Sequence, residues 1–263
     1  MLKDFTKEEF DVVIMAGQSN AVGHGIGNVD HPYVPDPNIW YLNNEFYQKI
    51  FTITPATECA RGNDIQSNFG LTFAEAYLRS GMLKEGRKLL FVRAAVGGTG
   101  FLQGRWKITD DLYRCMIDMT RTALLLNPRN RLIALLWHQG ETDAIHRATY
   151  AQHYENLITL VKTARSDLGR PDLPFIAGDF VPQWKNDNAK ICEPVVSAIR
   201  DVCRDCGNSG FVESDGLYSN LQENARLAIT PGDLTESIHF SRSSVYELGK
   251  RYFAAFTAIG KER

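Results

Sequence analysis

Val12-Val13-Ile14-Met15-Ala16-Gly17-Gln18-Ser19-Asn20 joins an unbroken apolar run to a glycine and then to a short polar block. A run with no polar alternate reads as a strand buried on both faces, the mark of a parallel sheet covered by helices. Residues 89–96, 132–137 and 175–180 have the same character, and residues 210–213 form a weaker fifth run. Helical patterns fill the gaps at residues 69–80, 110–126, 150–168, 195–203 and 243–259. Strands alternating with helices imply right-handed crossovers and helices on both faces of the sheet. The expected fold class is therefore α/β: one three-layer α/β/α sandwich domain spanning residues 1–263, built on a parallel sheet.

Two irregular stretches interrupt the pattern, residues 24–63 and 181–235, and long irregular segments in a compact domain are often functional loops. The first contains a small hairpin pattern, residues 39–42 with 46–51. Its aromatics Trp40, Tyr41 and Tyr47 suit a substrate wall, although packing of the loop on itself explains them equally well.

Composition removes several function classes. The 263 residues carry Lys+Arg 29 against Asp+Glu 31, a net charge of -2 with no basic run, so nucleic acid is not an expected partner. A hydrophobic fraction of 44% and a charged fraction of 23% are ordinary for a folded domain. The first apolar run is too short for a signal segment or a membrane span. The chain as written reads as cytoplasmic, or as secreted or periplasmic if a leader has been removed, with no membrane partner and no indication of oligomeric state. Five scattered cysteines cannot pair completely and favour a reducing compartment. Cys203-x-x-Cys206 has no second pair to complete a zinc site and closes a helical pattern instead of opening one.

In an open parallel sheet, ligands sit beyond the carboxyl ends of the strands. The polar blocks at those ends are Gly17-Gln18-Ser19-Asn20, Gly97-Gly98-Thr99-Gly100 and His138-Gln139-Gly140-Glu141. Ser19 suits either a helix N-cap or a nucleophile; the preceding glycine permits a sharp strand-to-helix turn, and free N–H groups there favour an oxyanion. A serine nucleophile needs a base, and histidine has the appropriate pKa. Among six histidines, His24, His31, His146 and His153 read as solvated side chains, and His138 as structural or catalytic. His239 stands out because Glu236 lies three residues and Asp233 six residues before it, close enough for a carboxylate to reach the imidazole. Nicotinamide dinucleotide binding is not expected, because Gln103 stands where the third glycine would be; no P-loop and no His-Glu-x-x-His occurs. No metal and no organic cofactor is expected.

Gly-Gln-Ser-Asn at 17–20, Gly-Gly-Thr at 97–99, Trp-His-Gln-Gly-Glu at 137–141 and Ile-His-Phe-Ser at 238–241 resemble, in content and order, the four blocks of the SGNH-hydrolase superfamily. They are most similar to its sialate O-acetylesterase and acetylxylan esterase-like branch. The resemblance implies a flavodoxin-like sheet and a serine esterase that removes acetyl groups from acetylated carbohydrates, with xylan and sialic acid as examples. It further implies Ser19 as nucleophile and His239 as general base and acid. The Ser19 amide, a Gly97 or Gly98 amide and the Gln139 side chain would form the oxyanion hole. Where the superfamily has Asp-x-x-His this chain has Glu236, so Glu236, Glu141 and Asp233 are the candidates for the orienting acid. Gln18, Asn20 and Trp40 are candidate substrate contacts. A non-catalytic carbohydrate-binding protein, and a lipase or thioesterase of the same superfamily, are the alternatives.

Overall fold

The computed structural model describes residues 4–45, 50–224 and 237–259. After a 3-10 turn at Phe5–Lys7, the elements are β1 (Glu9–Gly17), α1 (Ser19–Val22), β2 (Ile39–Glu45), β3 (Ile50–Pro55), β4 (Cys59–Arg61), β5 (Asp64–Gln66) and α2 (Phe69–Arg79). Next come β6 (Arg87–Ala95), α3 (Asp111–Leu125), β7 (Arg131–His138), α4 (Glu141–Ile145), α5 (Tyr150–Asp167) and β8 (Phe175–Gly178). The chain continues with α6 (Pro182–Asp187), α7 (Ala189–Asp205), β9 (Ser209–Val212), α8 (Asn220–Glu223) and α9 (Arg242–Ile259).

Among the described residues, seven strands form one sheet in the order β3-β2-β6-β1-β7-β8-β9. The strands β6-β1-β7-β8-β9 are parallel and reproduce the flavodoxin order 2-1-3-4-5. From β1 the chain steps to β6 on one side and then returns past β1 to β7. Right-handed crossovers therefore put α2 and α3 on opposite faces. β1 lies between two partners and under helices on both sides, so every residue after Glu9 is buried. That double burial is why its sequence is uninterrupted and apolar; each buried Val or Ile contributes roughly 1.5–3 kcal/mol.

The strand turns at Gly17, where φ is 132° and a Cβ would fall 2.0 Å from the His138 carbonyl oxygen. Only glycine lets β1 pass the end of β7 this closely. The Gln18 N–H then donates to that same carbonyl at 2.9 Å.

The hairpin differs from its sequence reading. Its second strand is Ile50–Pro55, antiparallel to β2, while residues 46–49 lie outside the described residues. β2 also joins the main sheet, parallel to β6, and extends it by two strands. This corrects the placement of Trp40. It pairs in register with Leu90, five residues short of the carboxyl end of β6, and its ring meets Phe5 edge-on at 5.2 Å. Trp40 thus packs toward the amino ends of the strands, away from the polar blocks. Cys203, near the end of α7, and Cys206, just beyond it, are both free thiols. Burial pushes both up, Cys203 to about 12, which suppresses the reactive thiolate. Among the described residues no helix is long and apolar enough to cross a membrane.

Candidate active site

The sheet reverses its winding direction between β1 and β7, and the crevice beyond their carboxyl ends is where this architecture gathers ligands. Ser19 is the first residue of α1 and is 7% exposed. It does not cap the helix, because Gln18 occupies that position, and its hydroxyl makes no hydrogen bond with a described residue. Across the crevice, Val96 N–H donates to Gly17 O at 3.0 Å, tying the loop after β6 to the end of β1. A Cβ on Gly97 would lie 3.8 Å from that of Ser19. Gly97 and Gly98 are exposed, and their amides donate to no described protein acceptor. Uncommitted N–H groups beside an uncommitted hydroxyl are what a developing oxyanion requires.

The histidine reaches this place through Asn20. The Asn20 side chain donates to Ile238 O at 3.0 Å and accepts from the Phe240 N–H at 3.2 Å, gripping the chain on both sides of His239. Its second N–H donates to Glu141 at 2.7 Å. Ser19 and the His239 segment are therefore joined by the residue next to the serine. Glu236 and Asp233 lie outside the described residues. His24 stacks on His239, with centroids 4.7 Å apart and planes at 22°.

Gln139 lies behind the glycine loop. Its Nε2 faces Asp143 Oδ2 at 2.8 Å, Thr99 O at 3.2 Å and Gln18 Oε1 at 3.4 Å. All three are acceptors, so reversing the amide would set oxygen against oxygen and the orientation is fixed. Asp143 is fully buried and also accepts from the Phe101 and Leu102 amides at 3.0 and 2.9 Å, clamping the loop after β6 to α4. Burial opposes its charge, but the neighbouring His153 together with hydrogen bonds from Leu102 N–H and Gln139 outweighs that and holds its carboxyl below the usual range. His153 is 1% exposed and sits 3.5 Å from Asp143, which corrects its reading as a solvated residue. His24, half-buried against His239, departs from that reading as well.

Gln18 and Asn20, expected to touch substrate, both turn inward. Gln18 is 2% exposed and accepts from Thr142 N–H at 3.1 Å, and Asn20 is 1% exposed with both amide hydrogens committed. Glu141 is fully buried; burial pushes its carboxyl up to about 7. Burial also drives His138 down to about 3, so that ring is neutral.

Sheet order and the blocks at the strand ends define the class: a GDSL- or SGNH-type α/β fold. The chain belongs to the carbohydrate esterase, sialic acid-specific acetylesterase family, whose sequence profile matches residues 9–258. It is thus a carboxylic ester hydrolase acting on O-acetyl esters of carbohydrates. It is 25% identical over 224 residues to a probable 9-O-acetyl-N-acetylneuraminic acid deacetylase of Escherichia coli K12, covering 67% of this chain and 68% of that one. A probable carbohydrate esterase of Arabidopsis thaliana is 25% identical over 178 residues, covering 63% and 66% of the two chains. The crystal structure of NanS superposes with a TM-score of 0.82 at 23% identity, covering 98% of this chain and 99% of that one.

Proposed function

We propose that this esterase works through an acetyl-serine on Ser19, with His239 as base and acid, and that its substrate is an O-acetylated acidic sugar of the sialic acid type. The observation that carries the mechanism is the Asn20 grip, which fastens both neighbours of His239 to the residue after Ser19. His239 takes the Ser19 proton as the oxygen attacks the acetyl carbonyl, then gives it to the departing sugar hydroxyl. A water activated by the same imidazole releases acetate and restores the serine. The amides of Ser19, Gly97 and Gly98 receive the oxyanion, joined by Gln139 when it exchanges its contact with Thr99 O. Glu236, three residues before His239, remains the first choice for the orienting carboxylate.

The acidic sugar is supported by Arg93 as well as by the family. This half-buried residue donates to Val22 O at 2.8 Å and Asn43 Oδ1 at 3.3 Å, lies 4.7 Å over the Tyr41 ring, and forms no ion pair among the described residues. It lines a cavity of about 170 Å³ with Val22 and Val96, directly before Gly97. A half-buried guanidinium lacking a carboxylate beside the crevice suits the carboxylate end of a ligand. Acetate release from O-acetyl sialic acid, acetylated xylan and p-nitrophenyl acetate, with wild type and Ser19→Ala, tests the proposal. Wild type should prefer the acidic sugar and Ser19→Ala should be inactive on all three. Turnover surviving in Ser19→Ala would overturn the acetyl-serine route, and a preference for acetylated xylan would overturn the acidic sugar. Arg93→Met should raise KM for the acidic sugar about 10–100-fold more than for p-nitrophenyl acetate, reflecting loss of a charged hydrogen bond worth roughly 1.5–3 kcal/mol.

A further inference from the structure

Behind Ser19 a buried polar chain runs from α9 through β7 and α4 to α1. The Tyr252 hydroxyl is fully buried and donates to Trp137 O at 2.7 Å. Its single hydrogen being spent there, it accepts from His138 Nδ1, 3.0 Å away. The imidazole proton therefore sits on Nδ1, and Nε2 turns a lone pair toward Glu141 Oε1 at 3.7 Å. Gly178 makes room for this pairing, because a Cβ there would lie 2.4 Å from the Tyr252 hydroxyl and 2.8 Å from His138 Nδ1. Glu141 Oε1 also accepts the 2.7 Å hydrogen bond from Asn20, whose remaining polar atoms hold Ile238 O and Phe240 N–H.

We propose that Glu141 is a positioning residue: by accepting from Asn20 it fixes the amide that grips residues 238–240, and so sets the approach of His239 to Ser19, as a neutral acceptor. This rests on the Ser19–His239 reading of the site. An anion would face the lone pair of His138 from β7, the carboxylate of Asp143 on α4 with His153 beside it, the carboxylate of Asp179 after β8, which pairs with Lys185 of α6, and the Cys192 thiol on α7. The surroundings thus favour the protonated acid, while the bond from Asn20 needs only a lone pair. An orienting acid in contact with the catalytic imidazole would behave oppositely, since it must be charged to stabilise the imidazolium.

The test measures kcat and KM on p-nitrophenyl acetate, with thermal unfolding, for Glu141→Ala, Glu141→Gln, Asn20→Ala and the double variant Asn20→Ala/Glu141→Ala. Glu141→Ala should lose about 10–100-fold in kcat with KM within about twofold, as expected for a misplaced catalytic group. Glu141→Gln keeps an acceptor oxygen and should recover most of that loss. The double variant should lose no more than Asn20→Ala alone, because the two residues act in series. Glutamine as damaging as alanine, an unaltered kcat in Glu141→Ala, or additive losses in the double variant would each overturn the proposal. If Glu141→Ala does not fold, Glu141→Gln against Asn20→Ala decides: recovery in the first with loss in the second supports it, and equal loss refutes it. Ser19→Ala and His239→Ala are measured alongside. Turnover surviving in these would sink the underlying reading of the site, whereas their inactivity beside unaltered Glu141 variants would sink the positioning role alone.

Discussion

His24 and His239 stack face to face, and an aromatic pair of this kind is worth roughly 0.5–1.5 kcal/mol. The stack lies against the ring proposed as base, so His24→Ala should lower kcat about 2–10-fold with little change in KM, and His24→Phe should restore it. Equal turnover in all three proteins would show that the ring is held by other contacts. Gln139 makes a second case. Removing one oxyanion donor typically costs on the order of 10²–10³ in kcat, and that is the loss expected for Gln139→Ala. A change confined to KM would make it a ground-state contact. At this scale the sequence was only partly readable. Ser19, Gln139 and His239 stand out in the sequence because each lies within a local block. His24 and His153 carry no such mark: their partners, His239 and Asp143, are set by the fold and not by spacing along the chain. Asn20 was legible as a member of the serine block, but its duty was not, since its three partners come from α4 and the segment before α9.

β1 is fastened at its amino end as firmly as at its carboxyl end. Asp11 is fully buried and accepts from Arg131 at 2.6 and 2.8 Å, from Arg87 at 2.6 Å and from Tyr77 at 2.7 Å, joining β1, β6, β7 and α2. Asp11→Asn leaves the mostly buried Arg87 and the more exposed Arg131 facing a neutral amide, and loss of a hydrogen bond between charged groups costs about 1.5–3 kcal/mol. Urea unfolding should show a lower midpoint with an unchanged slope; an unshifted midpoint would mean that Arg87 finds compensation in Glu9, 3.1 Å away. The elements themselves were largely legible, because double burial writes the apolar runs of β1, β6, β7 and β8 directly into the sequence. The place of β2 in the main sheet is not legible in its sequence, since pairing with β6 depends on a distant strand and not on its own pattern. α7 begins at Ala189, ahead of the expected residue 195, because Pro194 reads as a boundary yet is tolerated inside the helix.

The two ends of the sheet respond to pH in opposite directions, and this gives a test on the whole molecule. At the amino end burial works against the Asp11 charge, but hydrogen bonds from Arg131, Tyr77 and Arg87 win and hold its carboxyl below 3.8. A depressed carboxylate contributes stability above its unfolded pKa, and that contribution is lost as pH falls through the folded value. At the carboxyl end the Glu141 carboxyl is raised from 4.5 to about 7 by burial. Its contribution is fully present below 4.5 and is lost as pH rises through about 7. His138 is depressed to about 3, so it opposes Glu141 in the acid range but is common to wild type and Glu141→Gln and cancels in their difference. That difference isolates one ionisation. The glutamine variant keeps the acceptor for Asn20 and never ionises, so its Tm relative to wild type should climb between about pH 5 and pH 8 and level off above. The climb corresponds to a few kcal/mol at most, given about 1.36 kcal/mol per unit of pKa. Asp11→Asn supplies the mirror image, its deficit shrinking as the medium is acidified below about pH 4. Parallel Tm curves for wild type and Glu141→Gln from pH 5 to 8 would show that Glu141 ionises as an ordinary carboxylate in the folded protein.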